Sequence, residues 1–465
     1  MNLMNIDTPI MKSFIYNGGY YVYDTATNRL FCVSEADYIE LNKLQKCGIE
    51  KYIKSADITN ETQSNIIVLL EKGMFQKSIV EHVCHAETEY TKYLTNRCIT
   101  DMTLQVTKNC NMCCRYCAFS CNSVMNRDHE KISMAWDTAK KCIDFLFYHS
   151  VNANEVTISF YGGEPLLDYE LIFKCVKYAE RTFSSKRVNY VMTTNATVIN
   201  DKIIDFLAEY KFLLTISFDG PKTVQNYHRK FLLNGNDTYN VVYSNVKRMV
   251  KRQPSYFREC VLINPVIFDD ENSEIVYDYF FREFQIEKER VTLRRATMSG
   301  IDYIEKKIDQ LHTVQPSYMS EEFPEDIKKG LDRTFCERSV IPRKWQHNGP
   351  CVPGVKMIFA DVDGRFFPCE KCPEENYFII GNVERGIDIS KTLCLMNFEQ
   401  ELNNQCKTCW AMRYCNMCAI RCYDSEKKCI TDERLAVACK EEAEKTLQYF
   451  RQIIDHKKEV NNSHV

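Results

Sequence analysis

Short apolar segments of strand-like composition alternate with amphipathic segments between residues 96 and 310. The strand-like segments are MTLQVTK, VTISFY, VNYVMTTN, FLLTISF, RECVLINPVI and RVTLRRAT. The segments between them, such as AWDTAKKCIDFLFYH and LIFKCVKYAERTF, carry apolar residues at helical spacing. Six βα units in series predict a parallel sheet with helices packed on it. Because a closed barrel of this kind has eight units, we expect an α/β fold with a partial (βα)6 barrel and an active site at the C-terminal ends of its strands.

Residues 1–95 form a smaller unit ahead of this region. GGYYVYDTATNRLFCV predicts a β-hairpin with TATN as its turn. Ser34 is the expected N-cap of the helix EADYIELNKLQKC, and a further helix in TQSNIIVLLEKGMF is expected to end at Gly73. These elements predict a small winged-helix-like α+β domain.

The chain after residue 310 divides by composition into three parts. Residues 311–350 are predicted to be a linker with a short helix. Residues 351–440 are rich in cysteine and have few long periodic segments, and small irregular domains of this kind need metal for stability. Residues 441–465 are predicted to be a C-terminal helix with a polar, frayed tail.

The bulk composition is ordinary for a globular protein, with 465 residues, 45% hydrophobic and 26% charged. A net charge of −3 gives no electrostatic reason to expect nucleic-acid binding. No apolar run approaches the roughly 20 residues that a membrane span requires, and the N-terminal sequence lacks the pattern of a secretory signal. We therefore expect a cytoplasmic protein that binds neither nucleic acid nor membrane.

The cysteine content changes this ordinary picture. The chain has 24 cysteines, and half of them lie between Cys336 and Cys439. A reducing cytosol disfavours structural disulfides, so clustered cysteines there indicate metal ligands or redox groups. Zinc and iron–sulfur clusters both suit thiolate ligands, and the spacing of the cysteines has to choose between them.

The segment VTKNCNMCCRYCAFS follows the first strand of the βα series. Its Cys110, Cys114 and Cys117 supply three thiolates from one loop. A four-iron cluster takes four ligands, one per iron, so three protein ligands leave one iron to bind a small molecule. A zinc pair of Cys110 and Cys113 is the alternative, but such a site would need a second pair nearby.

The pattern CxxxCxYC after a first strand resembles the signature of the radical S-adenosylmethionine (radical SAM) family. This resemblance implies a [4Fe-4S] cluster held by those three cysteines, with S-adenosyl-L-methionine (SAM) on the open iron and Tyr116 against its nucleotide. It also implies an electron donor such as flavodoxin or ferredoxin. The electron cleaves the bound sulfonium to methionine and a 5′-deoxyadenosyl radical, which removes a hydrogen atom from an unactivated C–H bond.

Three more segments resemble cofactor-binding motifs of the same family, each after a successive strand. YGGEP resembles the GGEP motif, whose backbone carbonyls receive the SAM amino group. TTNAT resembles the ribose-contacting segment, and SFDGP resembles a further cofactor-lining segment. The residues that the resemblance implicates are Gly162, Gly163, Glu164, Pro165, Asn195, Ser217 and Asp219. Arg229 in YHRKF stands where related enzymes often carry a basic residue, but a solvated surface arginine is an equally good interpretation.

The cysteines after residue 350 resemble the SPASM domain, an extension of radical SAM enzymes that modify peptides and proteins. That domain normally holds two auxiliary four-iron clusters. The resemblance assigns one cluster to Cys406, Cys409, Cys415 and Cys439. It assigns the other to Cys351, Cys369 and Cys418, with Cys336 as the fourth ligand or with one iron open to a substrate thiol.

One departure from the SPASM pattern leaves an assignment open. This chain has two residues after Cys415 where the family has three, so Cys422 is the alternative to Cys418. The cysteines that this pattern does not use, Cys372, Cys394 and Cys429, are expected to be free thiols.

The order of the three parts predicts a function. Peptide-modifying radical SAM enzymes often carry a small hairpin-and-helices domain that binds the leader of a precursor peptide by adding a strand to the hairpin edge. Residues 1–95 resemble that domain in size and element order, although a plain covering domain remains an alternative. We expect a maturase that forms thioether cross-links in a ribosomally made, Cys-rich peptide or protein substrate.

Two other functions compete with this expectation. The first is an activity similar to that of anaerobic sulfatase maturases, which oxidise Cys or Ser to formylglycine. Their cysteine motif usually begins close to the N-terminus, whereas about 100 residues precede it here. The second is a non-catalytic metal-binding redox sensor, which the presence of both CxxxCxYC and GGEP disfavours.

Overall fold

The N-terminal unit is an antiparallel three-stranded sheet with three helices. The computed structural model describes residues 7–117, 129–267, 273–297, 300–303, 317–319, 344–347, 351–398 and 405–462. The elements of this unit are β1 (Met11–Tyr16), β2 (Gly19–Asp24), β3 (Arg29–Val33), α1 (Glu35–Cys47), α2 (Ile49–Ser55) and α3 (Glu61–Glu71). The predicted hairpin is confirmed as β2 and β3, with residues 25–28 as its turn.

Local capping explains two features of this unit. The Asp24 carboxylate accepts hydrogen bonds from the N–H groups of Ala26 and Thr27 at 3.1 and 3.2 Å, which closes the hairpin turn. The Ser34 side chain accepts from the N–H of Asp37 and caps α1, as predicted. The sequence analysis did not predict strand β1 or helix α2, and α2 has only seven residues, too few for a helical period to stand out.

The central region alternates strands and helices as the sequence predicts. Its first elements are β4 (His82–His85), α4 (Thr91–Arg97), β5 (Asp101–Thr107), β6 (Met112–Cys114), α5 (Trp136–His149), β7 (Glu155–Gly162), α6 (Tyr169–Thr182), β8 (Arg187–Thr194), α7 (Asp201–Glu209) and β9 (Leu213–Ile216). It continues with α8 (Lys222–His228), β10 (Arg229–Phe231), α9 (Tyr239–Arg252), α10 (Pro254–Cys260), β11 (Val261–Ile263), β12 (Val266–Ile267), α11 (Ser273–Phe284), β13 (Arg294–Thr297) and β14 (Gly300–Tyr303).

Five parallel strands form the wall of the predicted partial barrel, in the order β11, β9, β8, β7, β5. The sixth, β13, pairs in parallel with β12, a short continuation of β11. The predicted strand RECVLINPVI starts later than expected, because Arg258 to Cys260 belong to α10. Strand β5 is buried along almost its whole length, as expected for a central strand covered on both faces.

The cysteine-rich region is joined to this sheet. The elements after residue 310 are β15 (Ser317–Met319), β16 (Lys344–His347), β17 (Ile358–Ala360), β18 (Arg365–Phe367), β19 (Gly381–Asn382), β20 (Gly386–Ile387), α12 (Ile389–Met396), α13 (Ala419–Cys422), β21 (Tyr423–Asp424), β22 (Cys429–Ile430) and α14 (Asp432–Asn462). The segment around Gly364 forms an antiparallel hairpin of β17 and β18. Strand β17 also pairs in parallel with β5, which extends the barrel sheet to nine strands.

The described parts of the predicted linker pair with two strands that precede the barrel. Strand β15 pairs in parallel with the outer edge of β3, and β16 pairs in parallel with β4. The segment therefore adds a fourth strand to the N-terminal sheet and forms a separate two-stranded sheet with β4.

The C-terminal helix is longer than predicted. Helix α14 begins at Asp432, where the Thr431 hydroxyl accepts from the N–H of Arg434 at 3.3 Å, and it continues to Asn462. The helix continues past Phe450, and Ile454 is fully buried against the N-terminal sheet. None of the helices in the described part of the chain is long and apolar enough to cross a membrane.

Candidate active site

The loop that carries the first cysteine motif is held by strand pairing. Within it, β6 pairs antiparallel with β10, so that Arg229 lies opposite Cys114 and Lys230 lies opposite Cys113. Alternation along β6 buries Met112 and leaves Cys113 exposed. Cys113 therefore faces solvent, and the zinc pair of Cys110 and Cys113 gains no support.

The other three cysteines lie near one another. Burial raises the pKa of Cys110 to about 12, and the charges of Cys114 and Cys117 act in the same direction. The Cys117 thiol lies 3.8 Å from Nε2 of His129, a residue that the motif analysis did not identify. Thiols with raised pKa values are protonated at neutral pH, so binding of iron has to displace their protons.

Two glycines at the end of β7, Gly162 and Gly163, allow the chain to approach the cysteine loop closely. A Cβ on Gly162 would lie 2.0 Å from the carbonyl oxygen of Thr107, and a Cβ on Gly163 would lie 2.3 Å from that of Asn109. The N–H of Gly163 donates to the Thr107 carbonyl at 3.1 Å. The resemblance assigns both glycines to a SAM-binding motif, and in the structure they admit the backbone of the cysteine loop.

Glu164 connects the ends of two neighbouring strands. Its buried carboxylate accepts from the Thr194 hydroxyl at 2.7 Å and from the N–H of Asn195 at 2.6 Å. Burial raises its pKa to about 7, against the opposing effect of these hydrogen bonds. Pro165 begins a short 3-10 helix (Pro165–Asp168) directly after it. The side chain of Glu164 thus fixes the GGEP segment to the TTNAT segment.

Asn195 is committed to internal hydrogen bonds. Its Nδ2 donates to Oδ1 of Asn111 at 3.0 Å, and its Oδ1 accepts from the hydroxyl of Thr197 at 2.6 Å. Asn111 in turn belongs to the cysteine loop. Ser217, at the end of β9, is partly exposed, and its N–H donates to the Thr194 carbonyl at 2.9 Å.

Asp219 is the centre of a buried charged network. Its Oδ2 accepts from the Tyr116 hydroxyl at 2.7 Å and from Nε of Arg229 at 3.0 Å, and its Oδ1 accepts from the N–H of Val266 at 3.0 Å. The Arg229 side chain is buried, and its Nη1 lies 3.9 Å from the Cys114 sulfur. The surface interpretation of Arg229 is therefore wrong.

Tyr116 completes this network. Its ring lies 5.3 Å from the Arg229 guanidinium, and burial raises the pKa of its hydroxyl well above the ordinary value. Tyr116 is therefore a neutral donor to Asp219, and its ring packs on the arginine that borders the cysteine loop.

Comparison with known proteins identifies this region. A sequence profile of the Radical SAM superfamily matches residues 104–280. This segment is a radical SAM domain. The superfamily uses a [4Fe-4S] cluster and SAM, and these are the cofactors of the domain. The residues fit them, because three thiols share one loop that three successive strand ends border.

Relatives of known activity share more of the chain than this domain. The chain is 25% identical over 256 residues to the radical SAM cyclopropyl synthase TigE of Paramaledivibacter caminithermalis, covering 51% of this chain and 52% of TigE. It is 22% identical over 348 residues to the cysteine-type anaerobic sulfatase-maturating enzyme of Clostridium perfringens, covering 68% and 88%. The first relatives found are matched over only 37% and 52% of their own length.

A solved structure shares the fold. Native anSMEcpe with bound AdoMet and Cp18Cys peptide aligns with a TM-score of 0.50 and 18% identity, covering 77% of this chain and 99% of that chain. The α/β radical SAM fold predicted from the sequence is thus confirmed.

Several of the cysteines after residue 350 lie near one another. Cys351, Cys369 and Cys418 lie within electrostatic reach of one another, whereas Cys422 is fully buried in the core beside α14. Cys336 lies outside the described residues.

The other predicted ligand set consists of Cys406, Cys409, Cys415 and Cys439. Cys406 and Cys409 share a turn, in which the N–H of Cys409 donates to the Cys406 carbonyl at 3.3 Å. Burial raises the pKa of Cys409, and the charge of Cys439 adds to this effect. Cys415 and Cys439 are partly buried against the barrel core. Cys439 lies inside α14, which begins at Asp432.

No three His, Cys, Asp or Glu side chains of the described residues lie close enough together for a single metal ion. A four-iron cluster distributes its ligands over separate irons, so its thiols are spaced more widely than those of one ion. Sequence reasoning missed Asn111 and His129, which no motif marks. It also set Cys372 aside, although the spacing C-x2-C from Cys369 to Cys372 was visible.

Proposed function

We propose that this chain is a radical SAM maturase that forms thioether cross-links in a ribosomally made, Cys-rich peptide. The proposal joins three parts: the radical SAM domain, a C-terminal SPASM-type region with two auxiliary clusters, and an N-terminal peptide-recognition domain. One observation carries it: the turn of the N-terminal hairpin is bonded to the segment between Cys409 and Cys415.

That contact is specific and largely buried. Nε of Arg413 donates to the Thr25 carbonyl at 2.7 Å, and the same side chain donates to the Ala26 carbonyl at 3.1 Å. The hydroxyl of Tyr414 donates to Oδ1 of Asn28 at 2.7 Å. A simple covering domain would need apolar contact only, whereas this interface fixes the orientation of the hairpin.

The sheet behind the hairpin turn is held as well. Tyr23 and Phe14 of the sheet pack against Phe450 of α14, with ring centroids 4.6 and 6.4 Å from that of Phe450. A peptide bound at this sheet would therefore start from a fixed distance to the cysteine-rich region and the radical SAM domain. Such pre-organisation reduces the entropic cost of presenting one residue to the reactive site.

The edge of the hairpin is compatible with strand addition. Strand β15 pairs with β3 over three residues only, from Ser317 to Met319. A leader peptide that pairs with β3 would replace β15 and gain a longer ladder of backbone hydrogen bonds. Exchange of one strand for another at this edge leaves the rest of the sheet intact.

The assignment of chemistry rests on the type of cofactor. When bound, the cluster and SAM supply a carbon-centred radical able to take hydrogen from an unactivated C–H bond. The chain positions them: Cys110, Cys114 and Cys117 would hold the cluster, and the Asp219 network would fix its loop. A thioether joins a substrate sulfur to a substrate carbon and removes two hydrogen atoms, so a cysteine in the peptide is required.

The test uses the full chain, purified without oxygen. We expect about twelve irons per chain, as three four-iron clusters require. With reductant, SAM and a Cys-rich precursor, we expect 5′-deoxyadenosine, a mass loss of two hydrogens per link, and disappearance of one free thiol per link. Release of 5′-deoxyadenosine with unchanged peptide thiols would refute thioether formation, and stoichiometric zinc in place of iron would refute the whole proposal.

Formylglycine formation is the second candidate. Similarity to the Clostridium perfringens cysteine-type sulfatase-maturating enzyme extends over 88% of that enzyme and favours it. The same assay separates the two, because formylglycine formation from cysteine expels the sulfur, whereas a thioether retains it in the peptide. Incubation with a sulfatase-derived Cys peptide provides the matching positive test.

A further inference from the structure

Cys372 lies at the end of the sequence Cys369-Glu-Lys-Cys372, directly after the hairpin that extends the barrel sheet. The N–H of Cys372 donates to the Cys369 carbonyl at 3.2 Å, which closes a tight turn. The side chain of Cys372 is fully buried. A turn of this kind brings the two thiols to the same side of the backbone, as in many C-x2-C metal sites.

The thiol of Cys372 is engaged with other thiols. It is hydrogen-bonded to the thiol of Cys369 and lies within electrostatic reach of Cys418. Cys369 and Cys418 in turn lie within electrostatic reach of Cys351, the most exposed of the four cysteines. Each of these four thiols, which come from three separate segments, is therefore within electrostatic reach of at least two of the others.

An ordinary core cysteine does not explain this arrangement. Cys142, Cys175 and Cys372 all belong to one buried apolar cluster. Cys372 differs from the other two because it ends a C-x2-C turn and its thiol is hydrogen-bonded to the thiol of Cys369. Four thiolates are the ligand set of a four-iron cluster, in which each iron takes one thiolate.

We propose that Cys372 is the fourth protein ligand of the auxiliary cluster held by Cys351, Cys369 and Cys418. The assignment rests on the proposed function only in that it requires an auxiliary cluster at this place. It replaces both earlier alternatives, Cys336 and an open iron.

The ligand set decides what this cluster can do. A cluster with four protein thiolates has no iron left for a substrate sulfur. The peptide thiol would then react without being bound to this cluster, whose remaining role is in electron transfer. Substrate selection would depend on the peptide-binding surfaces and not on sulfur–iron binding.

The test isolates the auxiliary clusters. A parent variant with Cys110, Cys114 and Cys117 changed to Ala lacks the SAM-binding cluster and should hold about eight irons. In this parent, Cys372→Ala should either lose about half of that iron or leave one iron of the cluster with an open position that binds added 2-mercaptoethanol. The thiol would shift the electron paramagnetic resonance spectrum of the reduced protein, and the parent itself should not respond.

Two matched variants serve as controls. Cys422→Ala removes another fully buried cysteine of the same region, and Cys336→Ala removes the rival ligand. Both should keep the iron content and the thiol-insensitive spectrum of the parent. The proposal is overturned if Cys372→Ala keeps all its iron and does not respond to thiol, or if Cys336→Ala shows the expected loss instead. If Cys372→Ala does not fold, the paramagnetic resonance spectrum of the parent with added thiol is the test. A shift of that spectrum would show an open iron and overturn the proposal. None of these readouts depends on peptide modification, so failure of the proposed function would leave the result standing.

Discussion

Replacement of Asp219 by Asn tests how the cysteine loop is held. The Asp219 carboxylate accepts from Tyr116, Arg229 and Val266 at 2.7 to 3.0 Å. Tyr116 belongs to the cysteine loop, and the backbone of Arg229 pairs with that of Cys114. One buried carboxylate therefore joins the cysteine loop to β10, which pairs with that loop, and to Val266 at the start of β12.

The expected loss of stability follows from the lost charge and hydrogen bonds. Asn keeps the shape of Asp but has one acceptor oxygen, so its NH₂ group would face the N–H of Val266. The Arg229 guanidinium, only 5% exposed, would lose its counter-charge. Removal of one partner of a buried ion pair costs about 3–5 kcal/mol. Tyr116→Phe removes one hydrogen bond to a charged group and should cost about 1.5–3 kcal/mol.

The measurement is the free energy of unfolding in urea under anaerobic conditions, together with iron content and SAM affinity. We expect Asp219→Asn to lose iron from the SAM-binding cluster first, because its loop is the part released. Asp361→Asn is the matched control: Asp361 is also fully buried, but its partner Arg365 keeps 36% of its side chain exposed, so water can solvate the unpaired cation.

Two results would refute this reasoning. One is an Asp219→Asn variant no less stable than Asp361→Asn. The other is a variant of unchanged stability and iron content that binds SAM weakly, because the carboxylate would then act on the cofactor and not on the loop.

The remaining predictions concern close packing, proton binding and the domain contact. Gly163→Ala should displace the cysteine loop and lower the iron content, because its Cβ would lie 2.3 Å from the Asn109 carbonyl oxygen. The control Gly73→Ala, at φ +82° with nothing near its Cβ, should cost only about 1 kcal/mol and keep all iron. For Glu164, burial raises the pKa from 4.5 to about 7, so the folded chain binds more protons than the unfolded chain between these pH values and loses stability as the pH rises. The free energy of unfolding of the wild type relative to Glu164→Gln should therefore fall by up to about 3 kcal/mol from pH 4.5 to 7. A relative stability that does not change over this range would contradict the raised pKa of Glu164. Arg413→Ala should raise amide hydrogen exchange in the N-terminal hairpin turn and weaken cross-linking of a full precursor more than release of 5′-deoxyadenosine without peptide; equal effects on both would argue against a positioning role.

Local patterns in the sequence were sufficient for most helices and strands of the barrel and for the first cysteine motif. Helices α5, α7 and α9 follow from apolar residues at helical spacing, and the turn at Asp24 follows from side-chain hydrogen bonds within four residues. The position of Cys110 after the first barrel strand follows from chain order alone, since parallel strands end at one edge of the sheet.

Long-range pairing decided the rest. No local signal states that β17 joins β5, that β15 joins β3, or that Arg229 lies buried opposite Cys114, because each pairing brings together segments far apart in the chain. The sequence by itself determined which cysteines are available as metal ligands and in which order they occur. Only the tertiary structure decided that Cys372 lies among the other thiols and that the glycines after β7 face the cysteine loop, because burial and contact arise when distant segments pack together.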